Sequence, residues 1–145
     1  MALIKHEGMA SCTPHQLFSL ISSVEHYPKF LSWCSDAKIN SRNPNTIQAT
    51  VFIQKYGISF HCSFIYTLRS KNEIIVNLPS GGPFYSVSGL WRFQAYNHET
   101  KFSFELQLEY KHTWWINFFL IPILKNEVKN LIKSFEQRAL ALSKR

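Results

Sequence analysis

No run of about 18 uninterrupted apolar residues occurs in this sequence, so no segment reads as a membrane-spanning helix. The longest candidate, Trp114 to Leu124, is shorter and carries Asn117 and Pro122. Catalytic signatures are equally scarce: there is no GxSxG, no HExxH, no glycine-rich phosphate loop and no paired Asp/Glu motif. The nine acidic residues are scattered, and the six histidines show no metal-ligand spacing. The sequence therefore points away from an enzyme. Only three cysteines are present, Cys12, Cys34 and Cys62, without CxxC spacing. An odd, unpaired set argues against a disulfide framework or a zinc site and for reduced thiols in a cytoplasm. Cys62 beside His61 resembles a nucleophile next to a base, but neighbours in a strand point to opposite faces. Cys34 and Cys62 accordingly read as small buried hydrophobes. The start, MALIKHEGMAS, lacks both the apolar core of a signal peptide and the Arg/Ser richness of a transit peptide, and reads as mature sequence.

What the chain does have is aromatic mass. Twelve Phe, six Tyr and four Trp in 145 residues suit either a dense core or a cavity for something large and apolar. The length is that of one domain, and residues 1–145 are expected to form a single ligand-binding unit. A net charge of +7 permits binding to RNA, to an acidic protein or to anionic lipid head groups. The basic residues are spread out rather than blocked, so a solvated basic surface explains them equally well.

Ala2 to Met9 alternates loosely, as a first strand would. Thr13-Pro14-His15-Gln16 is a helix start: Thr13 an N-cap, Pro14 at the first helical position, Gln16 closing a capping box. The helix it opens buries Leu17, Leu20, Ile21 and Val24. Tyr27-Pro28 is expected to break it, with Lys29 to Trp33 making a second helical turn. From Ala37 onward the period switches to two, punctuated at Asn43-Pro44-Asn45, Tyr56-Gly57, Ser70-Lys71-Asn72, Pro79 to Pro83 and Asn97-His98. The strands so marked include Ile58 to Leu68, Ser86 to Tyr96 and the clean alternation Phe102, Phe104, Leu106, Leu108, Tyr110. One face of this sheet is buried and the other wet.

The last long segment, Pro122 to Ser143, sets Leu124, Val128, Leu131, Phe135 and Leu142 on one helical face and Lys125, Lys129 and Lys133 on the other. Just before it, Trp114 to Ile121 reads WWINFFLI, which suits core, the rim of an apolar pocket or a membrane interface. The order is strand, two short helices, about six antiparallel strands and one long helix. That is an α+β domain in which a curved antiparallel sheet of 6–7 strands faces one amphipathic helix.

VEHYPKFLSWC (Val24 to Cys34) and GPFYSVSGLWRF (Gly82 to Phe93) resemble signatures of the coenzyme Q-binding START-like family, which includes the RatA-type ribosome association toxins; FEQRA at Phe135 to Ala139 is similar to a third family segment. Departures are Ser32, where the family usually has proline, and Ser23, where an Asp often precedes the valine. The resemblance implies a helix-grip fold, in which the sheet wraps the C-terminal helix around a hydrophobic tunnel. It also implies a non-catalytic role. The ligand would be ubiquinone or a similar polyprenyl lipid, with no further cofactor required, in support of respiration. The alternative it implies is a toxin that binds the large ribosomal subunit and blocks subunit association.

The tunnel residues expected from the matching stretches are Tyr27, Phe30, Leu31, Trp33, Phe84 and Trp91. Phe64, Phe104, Leu106, Leu124, Val128 and Phe135 are expected to join them from facing elements. A ribosomal or other anionic partner would meet Lys125, Lys129, Lys133 and Arg138 on the back of the last helix. Localisation is expected to be cytoplasmic, with peripheral contact on the inner membrane. A small-molecule enzyme of the wider polyketide-cyclase-like superfamily would need a polar group inside the tunnel, and no acid is placed there by the pattern.

Overall fold

The computed structural model describes residues 2–55, 57–70, 72–78, 84–111, 113 and 116–143. Seven strands form one antiparallel sheet in the order β1-β7-β6-β5-β4-β3-β2. They are β1 (Ala2–Ala10), β2 (Cys34–Arg42), β3 (Thr46–Lys55), β4 (Ile58–Leu68), β5 (Glu73–Leu78), β6 (Phe84–Tyr96) and β7 (Glu99–Tyr110). From β2 to β7 each strand pairs with its neighbour in sequence, as a meander of hairpins does. Gly57 and Asn97 turn two of these hairpins at positive φ, 76° and 56°, where glycine and asparagine are tolerated. Register shifts in β2 and at the start of β6 mark bulges, which bend strands and curve the sheet. β2 begins at Cys34 and β6 at Phe84, each a few residues before the alternation becomes readable.

Helix α1 (Pro14–Ser22) starts as its sequence dictates. Thr13 Oγ1 accepts from Gln16 N at 3.2 Å, and the Gln16 side chain accepts from Thr13 N at 2.9 Å. The following turn differs from expectation. α1 ends at Ser22, ahead of Tyr27-Pro28, which lies inside a 3-10 helix, Val24–Lys29; beyond it Lys29 to Trp33 forms no further helix but a turn in which Cys34 N donates to the Leu31 carbonyl at 3.1 Å. Pro28 is tolerated there because the bonds that close the segment come from the amides of His26, Phe30 and Leu31.

Helix α2 (Ile121–Ser143) crosses the concave face and is entered through a π-helical turn, Ile116–Leu120, that the sequence pattern does not reveal. Its buried side is broader than the expected stripe: Ile121, Ile132 and Ala139 are buried with Phe135, while Leu131 is half-buried. The side chains of Leu124, Val128 and Leu142 lie outside the described residues. Lys125, Lys129 and Lys133 are exposed, as expected. Arg138 is not part of that free back; it is half-buried, with its guanidinium 5.9 Å from the Phe30 ring centroid.

α2 meets the sheet closely at β1. A Cβ on Gly8 would stand 2.7 Å from Phe102 Cζ and 3.0 Å from Glu136 Oε1. Thr100, fully buried, donates from Oγ1 to the Cys12 carbonyl at 2.7 Å and ties the start of β7 to the segment before α1.

Candidate functional site

Among the described residues the interior packs as two clusters. One joins α1, the 3-10 helix and the second half of α2 to the sheet; the other gathers Cys62, Leu78, Phe84, Val87, Leu108, Tyr110, Ile116 and Ile121 at the opposite end. Ile53, Phe64 and Leu106, all only partly buried, border both clusters. Between them lies a partly open cavity of about 180 Å³. Its walls come from the inner face of β3 to β7, from Tyr27 and Trp33 on the chain leading into β2, and from Ile123, Leu131 and Phe135 of α2.

Tyr27, Trp33, Phe64, Phe84, Trp91, Phe104, Leu106 and Phe135 of the sequence-predicted set are brought together on this lining. Phe30 and Leu31 are not. Phe30 packs edge-on against Phe135, 5.4 Å between centroids, and Leu31 is buried in the helix-side cluster, so both support the wall from behind. Leu124 and Val128 cannot be placed, their side chains being outside the described residues. Sequence reasoning missed Val51, Ile53, Lys55, Phe60, Cys62, Tyr66, Val76, Val87, Leu108, Ile123 and Leu131. All but Ile123 and Leu131 sit on inward faces that strand alternation does identify, Lys55 being in phase with Val51 and Ile53. Alternation does not say which inward residues meet a neighbour and which meet a space.

The lining is overwhelmingly apolar, and its few polar groups are distinctive. Tyr27 donates to the Ile21 carbonyl, and Tyr66 shares the lining with it. Burial holds the Tyr27 hydroxyl well above its ordinary pKa and pushes Tyr66 up to about 12, so both remain neutral phenols. Burial likewise pushes the Cys62 thiol up to about 12, which suits an inert hydrophobe rather than a nucleophile. His61 is exposed on the other face. Lys55 and Trp33 are the other polar-bearing residues among the described lining. Among the described residues no carboxylate and no imidazole lines the cavity, and no group of three or more His, Cys, Asp and Glu side chains is placed to hold a metal ion.

Size limits what fits. An apolar cavity of about 150 Å³ stays dry and takes up a benzene-sized molecule, whereas pockets for drug-sized ligands begin near 300 Å³. A space of about 180 Å³ takes one substituted ring or a short stretch of hydrocarbon chain, with anything longer leaving through the opening.

Phe118, in the π turn, is 80% exposed. Its neighbours Trp114 and Trp115, which by sequence suit core, a pocket rim or a membrane interface, lie outside the described residues. No helix among the described residues is long and apolar enough to cross a membrane.

The sequence model of the family described as polyketide cyclase / dehydrase and lipid transport matches residues 11–136. The ribosome association toxin RatA of Escherichia coli (strain K12) is 28% identical over 140 residues, covering 96% of this chain and 87% of that protein. Among solved structures, a protein from Thermus thermophilus superposes with a TM-score of 0.86 at 17% identity, covering 98% of this chain and 99% of its own. The Zhui aromatase/cyclase from a Streptomyces species superposes with a TM-score of 0.83 at 9% identity, covering 95% and 93%. At these identities the two structures share the fold, a curved antiparallel sheet gripping a C-terminal helix.

Proposed function

The chain belongs to the polyketide cyclase / dehydrase and lipid transport family, and on that basis we infer that it binds a hydrophobic ligand in the cavity between sheet and α2 without transforming it. The observation that carries this reading is the division of the core into two packed clusters with an apolar space between them. Filling that space removes the ligand's apolar surface from water at roughly 25 cal/mol per Å², so useful affinity needs no charged contact. Of hydrophobic ligands, ubiquinone or a similar polyprenyl lipid is the class we favour: its ring or its first prenyl units match the space, and its tail would extend through the opening. The protein would work in the cytoplasm and load at the inner membrane, where the exposed Phe118 ring offers an apolar contact. A cyclase-like activity is disfavoured because the cavity's tyrosines are neutral and its described lining has no carboxylate or imidazole to serve as a general base.

The test is mass spectrometry of a solvent extract of natively purified protein, together with fluorescence titration of the tryptophans by a short-tailed ubiquinone. A co-purifying prenyl lipid and saturable quenching are expected. Absence of both overturns the reading.

A second reading has its own observation. Lys125, Lys129 and Lys133 project from the solvent side of α2, and the relatives named ribosome association toxin align over most of the chain. A three-lysine ridge along one helix suits a polyanion such as ribosomal RNA. The two readings use opposite faces of the same helix and do not exclude each other.

A further inference from the structure

The sheet ends in two edge strands, and they are finished differently. β2 carries two register shifts against β3 and runs beside the 3-10 helix, both of which blunt an edge. β1 pairs with β7 without a shift over all nine residues and contains no proline, and among the described residues no strand lies along its outer side. An edge of this kind offers its backbone donors and acceptors as a template for another strand.

The β1 side chains that point away from the core are Leu3, Lys5, Glu7 and Met9. Leu3 and Met9 are 50% and 40% exposed, two large apolar groups at the rim of the sheet. Lys5 reaches Glu105 on β7 at 3.7 Å, while Glu7 makes no ion pair among the described residues. The order apolar, basic, acidic, apolar is its own complement when reversed. A second β1 running antiparallel about a two-fold axis normal to the sheet keeps outward side chains outward, so the one freedom left is which residue sits on the axis. With His6 there, Lys5 of each copy faces Glu7 of the other and Leu3 faces Met9, every contact being made twice. With Lys5 on the axis two lysines meet, and with Glu7 on it two glutamates meet. Opposite charges across a strand pair stabilise it and like charges destabilise it, so the sequence of β1 selects the His6 register.

We propose that the outer edge of β1 is a self-association surface whose partner is a second copy of this chain, paired antiparallel with His6 of both copies on the two-fold axis. Two seven-stranded sheets thereby become one continuous sheet. An interface of one short strand per copy belongs with transient associations, which bury less than about 1,200 Å². It draws on no residue of the cavity lining, so its failure leaves the proposed ligand site standing.

Sedimentation velocity of the whole chain from about 10 µM to about 1 mM, the range in which so small an interface dissociates, should show a reversible monomer–dimer equilibrium. Lys5→Glu and Glu7→Lys should each weaken the dimer about tenfold, because each sets like charges opposite one another twice. An equimolar mixture of the two variants should restore it, since both cross-strand pairs are then opposite in sign. Both side chains are exposed, so thermal melts of the single variants should match the parent and report that they are folded. Disulfide cross-linking reads the register independently: Leu3→Cys mixed with Met9→Cys should form a cross-linked dimer, and neither variant should do so alone, the three native cysteines being buried. A chain that stays monomeric throughout, a dimer indifferent to both charge reversals or not restored by the mixture, or cross-linking of Leu3→Cys to itself overturns the proposal.

Discussion

The Trp91 indole stacks on the Phe104 ring, with centroids 4.2 Å apart and planes inclined by 29°. The two residues are direct cross-strand partners on β6 and β7, and the Phe135 ring of α2 stands edge-on to Trp91 at 5.7 Å. Strand pairing thus fixes the floor against which the helix is seated. All three side chains also face the cavity, so the contact that holds the fold together forms part of the wall of the proposed site.

Truncating the centre of that stack should be among the most damaging single changes. Trp91→Ala removes a side chain that is 4% exposed and is expected to cost about 3–5 kcal/mol. Trp91→Phe keeps a ring against Phe104 and should cost clearly less. Urea denaturation followed by far-ultraviolet circular dichroism separates the two; equal losses would mean that the stacking does not matter.

Gly8 is fixed by space rather than by backbone angle. Gly8→Ala drives a methyl group into Phe102 and Glu136, where β1 and α2 meet, and overpacking of this kind costs roughly 1–3 kcal/mol. The double variant Gly8→Ala with Phe102→Leu should recover part of the loss. Thermal melts of the two proteins check this.

Alkali should unfold the protein through its buried acids. Burial raises Cys34 from 9.0 to about 11, Cys62 from 9.0 to about 12 and Tyr66 from 10.0 to about 12. In each case the folded state holds the proton more tightly than the unfolded chain. The stability these groups contribute is whole below about pH 9 and is lost as pH rises from there toward 12. The melting temperature should be level from pH 7 to about 8.5 and fall steadily above pH 9, with a shallower fall in Cys62→Ala. At pH 8 a thiol reagent should label all three cysteines only as the chain unfolds, because each is buried.

Filling the cavity should separate ligand binding from folding. Val76 lies on the lining from the short central strand β5, and Val76→Phe places a ring in the empty space. Binding of a short-tailed ubiquinone is expected to weaken at least tenfold, while the melting temperature holds or rises. Unchanged affinity would place the ligand elsewhere.

The solvent face of α2 can be tested alone. Lys125→Glu, Lys129→Glu and Lys133→Glu combined should abolish salt-sensitive co-sedimentation with large ribosomal subunits while leaving quinone titration unchanged. Co-sedimentation that survives the reversal would remove this face from the ribosome reading.

The strands are legible in the sequence because their alternation is interrupted by residues with a specific backbone role, as at Asn43-Pro44-Asn45 and Asn97-His98. The start of α1 is legible for the same reason, its capping box being local chemistry. The seat of α2 is less so. A helix gripped by a curved sheet buries a wide arc, and helical periodicity alone does not tell that Ile132 and Ala139 fall inside it while Leu131 turns toward the cavity. The 3-10 helix is hidden because Pro28 signals a break in an α-helix, whereas the segment that forms needs no amide from it. Lys55 is not singled out in the sequence; the fold sets it on the cavity wall, with its amine on Ser32 Oγ.

The order of the sheet has a kinetic consequence. β1 pairs with β7, so Ala2 sits opposite Leu108, and most of the chain separates the two strands. During synthesis β1 has no partner until β7 has been made, and α2, which closes the cavity, follows every strand. The β2 to β7 hairpins pair locally and are able to form early, whereas the β1 edge waits for a long loop to close, a step that slows folding. Between those two events the inner face of the sheet is open to whatever apolar molecule is at hand, and an occupant bound at that stage would be enclosed as the helix docks.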